Sequence, residues 1–491
     1  MPLSKFKRSW KADMLSGILG KTPMPIKRFN YLSCLNLNDC RDLKRLPEQL
    51  GDMKALKKID ASFTAIDKLP DSVTQLKGLV TLELFGCKKL RKLPQDIGNM
   101  EGLEYFGAGN SAVEQLPDSF GGLFNLVELD LNRCKKLKNL PNSICKLKLL
   151  KLYLTECSKL DQLPEQLGKI QCLEYLSAAN TTIEQVPNSI GLLGSLKRLD
   201  FRDCEKLKFV PESIWNLTSV QELSLNPGAT GKISLPDSVK SMKKLDSLNL
   251  SCAVRLCLPM ILSFPSLEIL ILTDVGQILS SSKPFSFSKL FNLYHLTLNN
   301  CTSLGSSLPE LPLNLEQLYI RNHTSLEQLP DLPSLRKLEY LEIMGCINLQ
   351  SISLLPSHLQ WLFVKECTIL QDLPDLSMLK ELRNLSLIQC NNLKSRSLEQ
   401  GFLKVGPFEA DLPNTEVAKW FNYKSSGHAV SFVVPPNFGS NVLGLALWVV
   451  FTCKSCIENR GKSYMRAVIT NGTEGITENY YMGVHAVVGE A

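Results

Sequence analysis

From Leu79 to Leu103 the chain reads LVTLELFGCKKLRKLPQDIGNMEGL, with apolar side chains at Leu79, Leu82, Leu84, Leu90, Leu93, Ile97, Met100 and Leu103 and mostly polar ones between. The spacing changes within the segment. Leu82 and Leu84 are two apart, the period of a strand with one buried face, so both point inward while Thr81, Glu83 and Phe85 face solvent. Further on, Pro94 ends the extended stretch, and QDIGNM is expected to make a loose helical turn on the other side. The template returns along the chain: a Leu-Pro or Val-Pro pair begins at Leu46, Leu69, Leu93, Leu116, Leu140, Leu163, Val186, Val210, Leu235 and Leu258, at intervals of 23 to 25 residues.

This is the pattern L-x-x-L-x-L-x-x-N/C-x-L of leucine-rich repeats. First leucines, or Val220 in one case, fall at 32, 56, 79, 103, 126, 149, 173, 196, 220, 245, 267, 293, 315, 338, 359 and 382, about sixteen repeats. No repeat can bury its own leucines, so stability must come from stacking neighbours, and both ends need caps. The expected fold is α/β: a solenoid with a curved parallel sheet inside and an irregular, short-helical outer side. Strands roughly 4.8 Å apart give an inner arc of about 75 Å, a surface suited to a macromolecule. Cysteine recurs where the chain leaves the strand, at Cys40, Cys87, Cys134, Cys157, Cys204, Cys301, Cys346, Cys367 and Cys390; in several 23-residue repeats the corner reads as polar, at Asn110 and Asn180.

The pattern becomes irregular after Leu258 and ends near Leu398. Beyond it, HAVSFVVPPNF, VLGLALWVVF (Val442 to Phe451) and YMRAVIT (Tyr464 to Thr470) read as strands of a small all-β, sandwich-like domain. The expected organisation is a lead-in or cap over 1–30, leucine-rich repeats over 31–398, and a post-repeat β-domain over 399–491 that stops early enough to be truncated.

Composition narrows the function. The 55 basic and 48 acidic residues, net +7, are mixed along the chain without a basic block, which argues against nucleic acid and membrane surfaces. The N-terminal MPLSKFKRSW lacks the apolar core of an export signal. The longest apolar run, Val442 to Cys453, is too short for a membrane helix. Sixteen cysteines, most of them single at one repeat position, read as reduced, buried thiols of a cytoplasmic or nuclear protein. The sequons at Asn180, Asn216 and Asn249 point the other way.

Chemistry-bearing motifs are few. Gly17, Gly20, Lys21 and Thr22 imitate the end of a phosphate-binding loop. However, Leu15 stands where its first glycine is required, and Pro23 and Pro25 obstruct the helix that should follow. Cys453 and Cys456 have no second pair to complete a zinc site. The histidines at 295, 323, 358, 428 and 485 have no triad-like context. The expectation is therefore no catalytic residue, no metal, no cofactor and no enzymatic activity.

The segment LPNTEVAKWFNYKSSGHAVSFVVPPN (Leu412 to Asn437) resembles the post-repeat, C-JID-like domain of plant intracellular immune receptors of the TIR-NB-LRR class, whose usual run is LPGSEIPEWF followed by a polar turn and a VSF strand. Leu412, Pro413, Glu416, Trp420, Phe421, Gly427, Val430, Ser431, Phe432 and Pro435 match; Asn414, Thr415 and Ala418 depart. The repeats resemble that family's array too, and the likeness covers about residues 31 to 451. It implies a recognition module that binds a pathogen effector or host protein through the concave repeats and the post-repeat domain, with Trp420 and Phe421 structural. The TIR and nucleotide-binding domains of the family have no place in this chain.

Candidate partner-binding residues are the strand positions beside the inner leucines. In the last repeats these are Tyr319, Arg321, Tyr340, Glu342, Trp361, Phe363 and Lys365, aromatic and cationic side chains of the kind that anchor interfaces. Burial under the post-repeat domain is the competing reading for Trp361 and Phe363. A second, mixed-charge group is Arg198, Asp200 and Arg202, with Glu128, Asp130, Arg133, Tyr153 and Asp203 nearby, which also fits a solvated face. Two other functions stay open: an intracellular scaffold for a small GTPase or phosphatase, and an extracellular inhibitor of a pathogen hydrolase.

Overall fold

The structure is a computed structural model; it describes residues 31–227, 242–251, 264–274, 286–352 and 354–393, with isolated elements at 9–10, 232–233, 261, 409–411, 464–470 and 477–483. Eighteen strands form one parallel sheet. Each strand pairs with the next in chain order, one per repeat from Cys34–Asn36 to Asn384–Ser386, with Ser9–Trp10 added at one end and Glu409–Asp411 at the other. A parallel stack in chain order, one strand per repeat, is the leucine-rich-repeat solenoid.

Register follows from the leucines. Leu82 pairs Ile59 on one side and Phe106 on the other, so the inward side chains of successive strands stack directly, and all three are fully buried. Polar neighbours align equally well: Asp60, Glu83, Gly107, Asp130 and Tyr153 form one row across five strands. The concave face is therefore a set of parallel lanes, each lane holding one strand position from every repeat.

On the outer side the expected helical turns are short 3-10 turns, as at Asp71–Gln75, Asp118–Gly122, Asn142–Lys146 and Glu212–Asn216, each entered from a proline in extended conformation. Consecutive turns touch backbone to backbone. A Cβ on Gly98 would overlap the carbonyl of Ser119, and one on Gly51 that of Ser72, so these glycines set how closely neighbouring repeats approach.

The corner after each strand differs from the sequence reading. Asn110 and Asn180 do not fill it; they have φ of 54° and 56°, the left-handed position that precedes it. The corner side chains of those repeats are Ser111 and Thr181, both buried. Every Cys corner has the same arrangement, with a left-handed residue such as Arg133, Glu156 or Asp203 directly before it. Left-handed backbone costs an ordinary L-residue about 1 kcal/mol, and asparagine or glycine less. The corner group offsets this by tying repeats together. Cys134 Sγ donates to Ala108 O at 3.1 Å, Cys157 to Leu131 O at 3.1 Å and Cys87 to Ala61 O at 3.2 Å, each reaching back 26 residues. Burial pushes these thiols up from their ordinary pKa, which keeps them protonated as donors. Cys40, in the first described repeat, is only half-buried.

The post-repeat motif residues Leu412, Pro413, Glu416, Trp420 and Phe421 lie outside the described residues, as do the strand expected at Val442 to Phe451 and the Gly17–Thr22 segment. The strand expected at Tyr464–Thr470 is present and pairs antiparallel with Thr477–Gly483.

Candidate protein-binding surface

The C-terminal repeats bring the predicted aromatics into one continuous stack. Strands His295–Asn299, Gln317–Arg321, Tyr340–Met344 and Trp361–Lys365 are adjacent and in register, so rings on alternate positions meet across a strand spacing of roughly 4.8 Å. Centroids lie 5.0 Å apart for His295 and Tyr319, 4.8 Å for Tyr319 and Tyr340, 5.3 Å for Tyr340 and Phe363, and 6.3 Å for Tyr340 and Trp361. All of them are half-exposed on the concave face.

Cations cover the stack. Arg321 lies 5.2 Å from the centre of Tyr319, Lys365 5.1 Å from Phe363 and Arg383 5.8 Å from Trp361. The predicted anchors do not all play one role. Glu342 has a side chain 13% exposed and is held by Arg321 Nε at 2.6 Å and by the Tyr340 hydroxyl, which donates to it at 3.1 Å. It braces the stack from below and is not itself presented. Burial and this carboxylate push the Tyr340 phenol well above its ordinary value. The half-exposed members of the group are thus Tyr319, Tyr340, Trp361, Phe363, Lys365 and Arg321.

Sequence reasoning missed two members. His295 accepts or donates at Nδ1 with Gln317 at 2.9 Å and at Nε2 with Thr297 at 3.0 Å, and burial lowers its pKa, so it extends the stack as a neutral ring. Arg383, one residue before strand Asn384–Ser386, caps Trp361. Following the lane of Trp361 and Tyr340 back through Gln317 to His295, and reading one residue outside the next strand, would have found both.

The second predicted group separates. Arg198 sits over the Tyr175 ring at 5.1 Å and pairs Glu222 at 3.0 Å. Asp200 is buried, contrary to its expected place on an open face, because Arg202 folds back onto it with two bonds of 3.0 and 2.9 Å. Asp200 is thus ion-paired within its own strand, and of Arg198, Asp200 and Arg202 the last alone is exposed.

A family model described as "Disease resistance protein RPS4B-like, leucine-rich repeats" matches residues 29–111, and one for a leucine-rich repeat region matches 129–255. Disease resistance protein RPP5 of Arabidopsis thaliana is 28% identical over 189 residues, 33% of this chain and 12% of that protein. A probable disease resistance protein of the same plant is 27% identical over 164 residues, 32% of this chain and 9% of its own length. The chain thus spans only a small part of the curated relatives it matches. Among solved structures, a leucine-rich-repeat protein of Leptospira interrogans superposes with a TM-score of 0.60 at 23% identity, covering 83% of this chain and 100% of that one, which establishes the fold alone. The chain is a leucine-rich-repeat solenoid whose repeats are similar to those of plant disease resistance proteins.

Proposed function

We propose that this solenoid is the ligand-recognition segment of a plant intracellular immune receptor, and that it holds a pathogen effector or a host protein on its concave face and post-repeat domain. The observation that carries the reading is the ring stack from His295 to Trp361 with its cations. Contiguous half-exposed aromatics, braced from below by a carboxylate, have the composition of an interface hot spot. No catalytic step is assigned, since the surface presents stacking and charge without an activated nucleophile. The buried corner thiols, used as hydrogen-bond donors, support a reducing setting, cytoplasmic or nuclear.

Quantitative affinity capture from leaf tissue with and without pathogen challenge tests this. Wild-type protein is expected to retain a stoichiometric protein partner that Trp361→Ala and Tyr319→Ala lose by tenfold or more, an effect of about 1.4 kcal/mol or greater at each anchor. Equal retention by both variants, with unchanged melting temperature, would contradict it.

A further inference from the structure

The N-terminal half of the concave face carries a second, chemically different feature. Most carboxylates in its lanes are neutralised within the chain: Glu83 by Lys58 at 2.6 Å, Glu128 by Lys151 at 3.1 Å, Glu222 by Arg198 at 3.0 Å and Asp200 by Arg202 at 2.9 Å. Asp130 is different. Among the described residues its carboxylate accepts one hydrogen bond, from the backbone N–H of Asn132 at 2.8 Å to Oδ1, and no cation lies within ion-pair distance; Asp60, in the same lane, also lacks a cation but accepts from both Ser62 N–H and Asn38 Nδ2. Burial, followed by the like charge of Glu128, raises its pKa, and the backbone bond only partly offsets this.

Aromatic rings stand on both sides of that carboxylate. Gly107 pairs Asp130 in the lane on one side, and Tyr105 leans across it: a Cβ at Gly107 would meet the Tyr105 hydroxyl at 2.8 Å. The absence of a side chain at Gly107 leaves room for the Tyr105 ring, which a Cβ there would press aside. On the other side Asp130 pairs Tyr153, whose ring is 5.3 Å from that of Tyr175. Each of these tyrosines is half-exposed. The negative field is felt by the phenol itself: the Tyr105 pKa is pushed up to about 12, first by burial and then by Asp130, Glu83 and Glu128.

We propose that Asp130, between the Tyr105 and Tyr153 rings, receives an arginine or lysine side chain of the protein ligand. Aromatic faces attract a cation through their quadrupole, and a carboxylate at the base supplies the counter-charge and the hydrogen-bond acceptors. A guanidinium there supplies the pairing that Glu83, Glu128, Asp200 and Glu222 find within the chain. This deepens the reading above and rests on it: the ligand presents a basic residue to the N-terminal half of the concave face, while the C-terminal half meets it with its own cations, Lys365 and Arg383. The two halves therefore demand opposite charge, which fixes the direction in which a ligand lies along the solenoid.

The test is fluorescence anisotropy of a labelled octa-arginine peptide titrated with the full chain at about 150 mM salt. A chain of net +7 repels a polycation overall, so saturable binding requires a local site. Asp130→Asn and Tyr153→Leu are each expected to weaken binding at least about fivefold. Glu222→Gln, which removes a carboxylate already paired with Arg198, should stay within about twofold. Absence of saturable binding, binding indifferent to Asp130→Asn, or equal weakening by Glu222→Gln would overturn the proposal. None of these outcomes alters the capture experiment at Trp361, so failure here and failure of the recognition reading are separable.

Discussion

His323 occupies the corner that cysteine, serine or threonine fills in other repeats, directly after left-handed Asn322. Its ring is fully buried; Nδ1 lies 3.3 Å from Ser325 Oγ, and Nε2 has no partner. An imidazolium there would put two donors where one acceptor exists, so burial lowers its pKa. The sign follows: with the folded value below the ordinary 6.5, stability is full above about pH 6.5 and is lost as pH falls through the lowered value. His295, lowered by burial as well, adds to the same slope. Thermal unfolding at about pH 7.5 and about pH 5.5 should show a drop in melting temperature for the wild type and a smaller drop for His323→Thr, which installs the side chain used at Thr64 and Thr181. An identical drop in the variant would show that the corner imidazole does not carry the effect. The corner also marks a limit of sequence reading. Cysteine at nine positions was visible as a rule, but the Asn110 and Asn180 assignment was one residue out, because left-handed backbone is a conformation and leaves only a weak composition signal.

Each repeat's strand and outer turn were legible because their periods differ, two for the strand and a proline-led turn for the outside. The positions beside the inner leucines made Tyr319, Tyr340, Trp361 and Phe363 recognisable from the sequence as residues of adjacent strands, and the register then places them in two neighbouring lanes. Pairing within a lane was not legible: that Arg202 buries Asp200, or that Glu342 braces Tyr340, depends on side-chain direction that a one-dimensional pattern does not carry. Nor was the contact between outer turns. Gly98 sits under Ser119, so Gly98→Ala must push two repeats apart, with an expected cost of about 2 kcal/mol or more in urea unfolding. Gly194, also on the outer side and without any neighbour within 4 Å of an added Cβ, should tolerate alanine with a change of about 0.5 kcal/mol or less. Equal effects at the two glycines would show that turn-to-turn contact does not limit stacking.

At the scale of the whole molecule, parallel strands in chain order produce a long one-sided surface, and its chemistry changes along the length. Asp130 and its tyrosines lie toward one end, the cation-topped ring stack toward the other, with Ile269 and Ile271 on the strand Ile269–Thr273 between them. A solenoid couples only nearest neighbours, so the two regions can be altered independently without disturbing each other's geometry. Among the described residues no helix is long and apolar enough to cross a membrane. The central claim, that a protein ligand sits on the concave face, is tested most directly by site-specific photo-crosslinking in leaf cells. A benzophenone amino acid placed at Tyr340 is expected to capture a discrete protein, and one placed at Leu192, exposed on the outer turn Asn188–Leu192, is expected to capture none. The same product from both positions, or a product from Leu192 alone, would contradict the account.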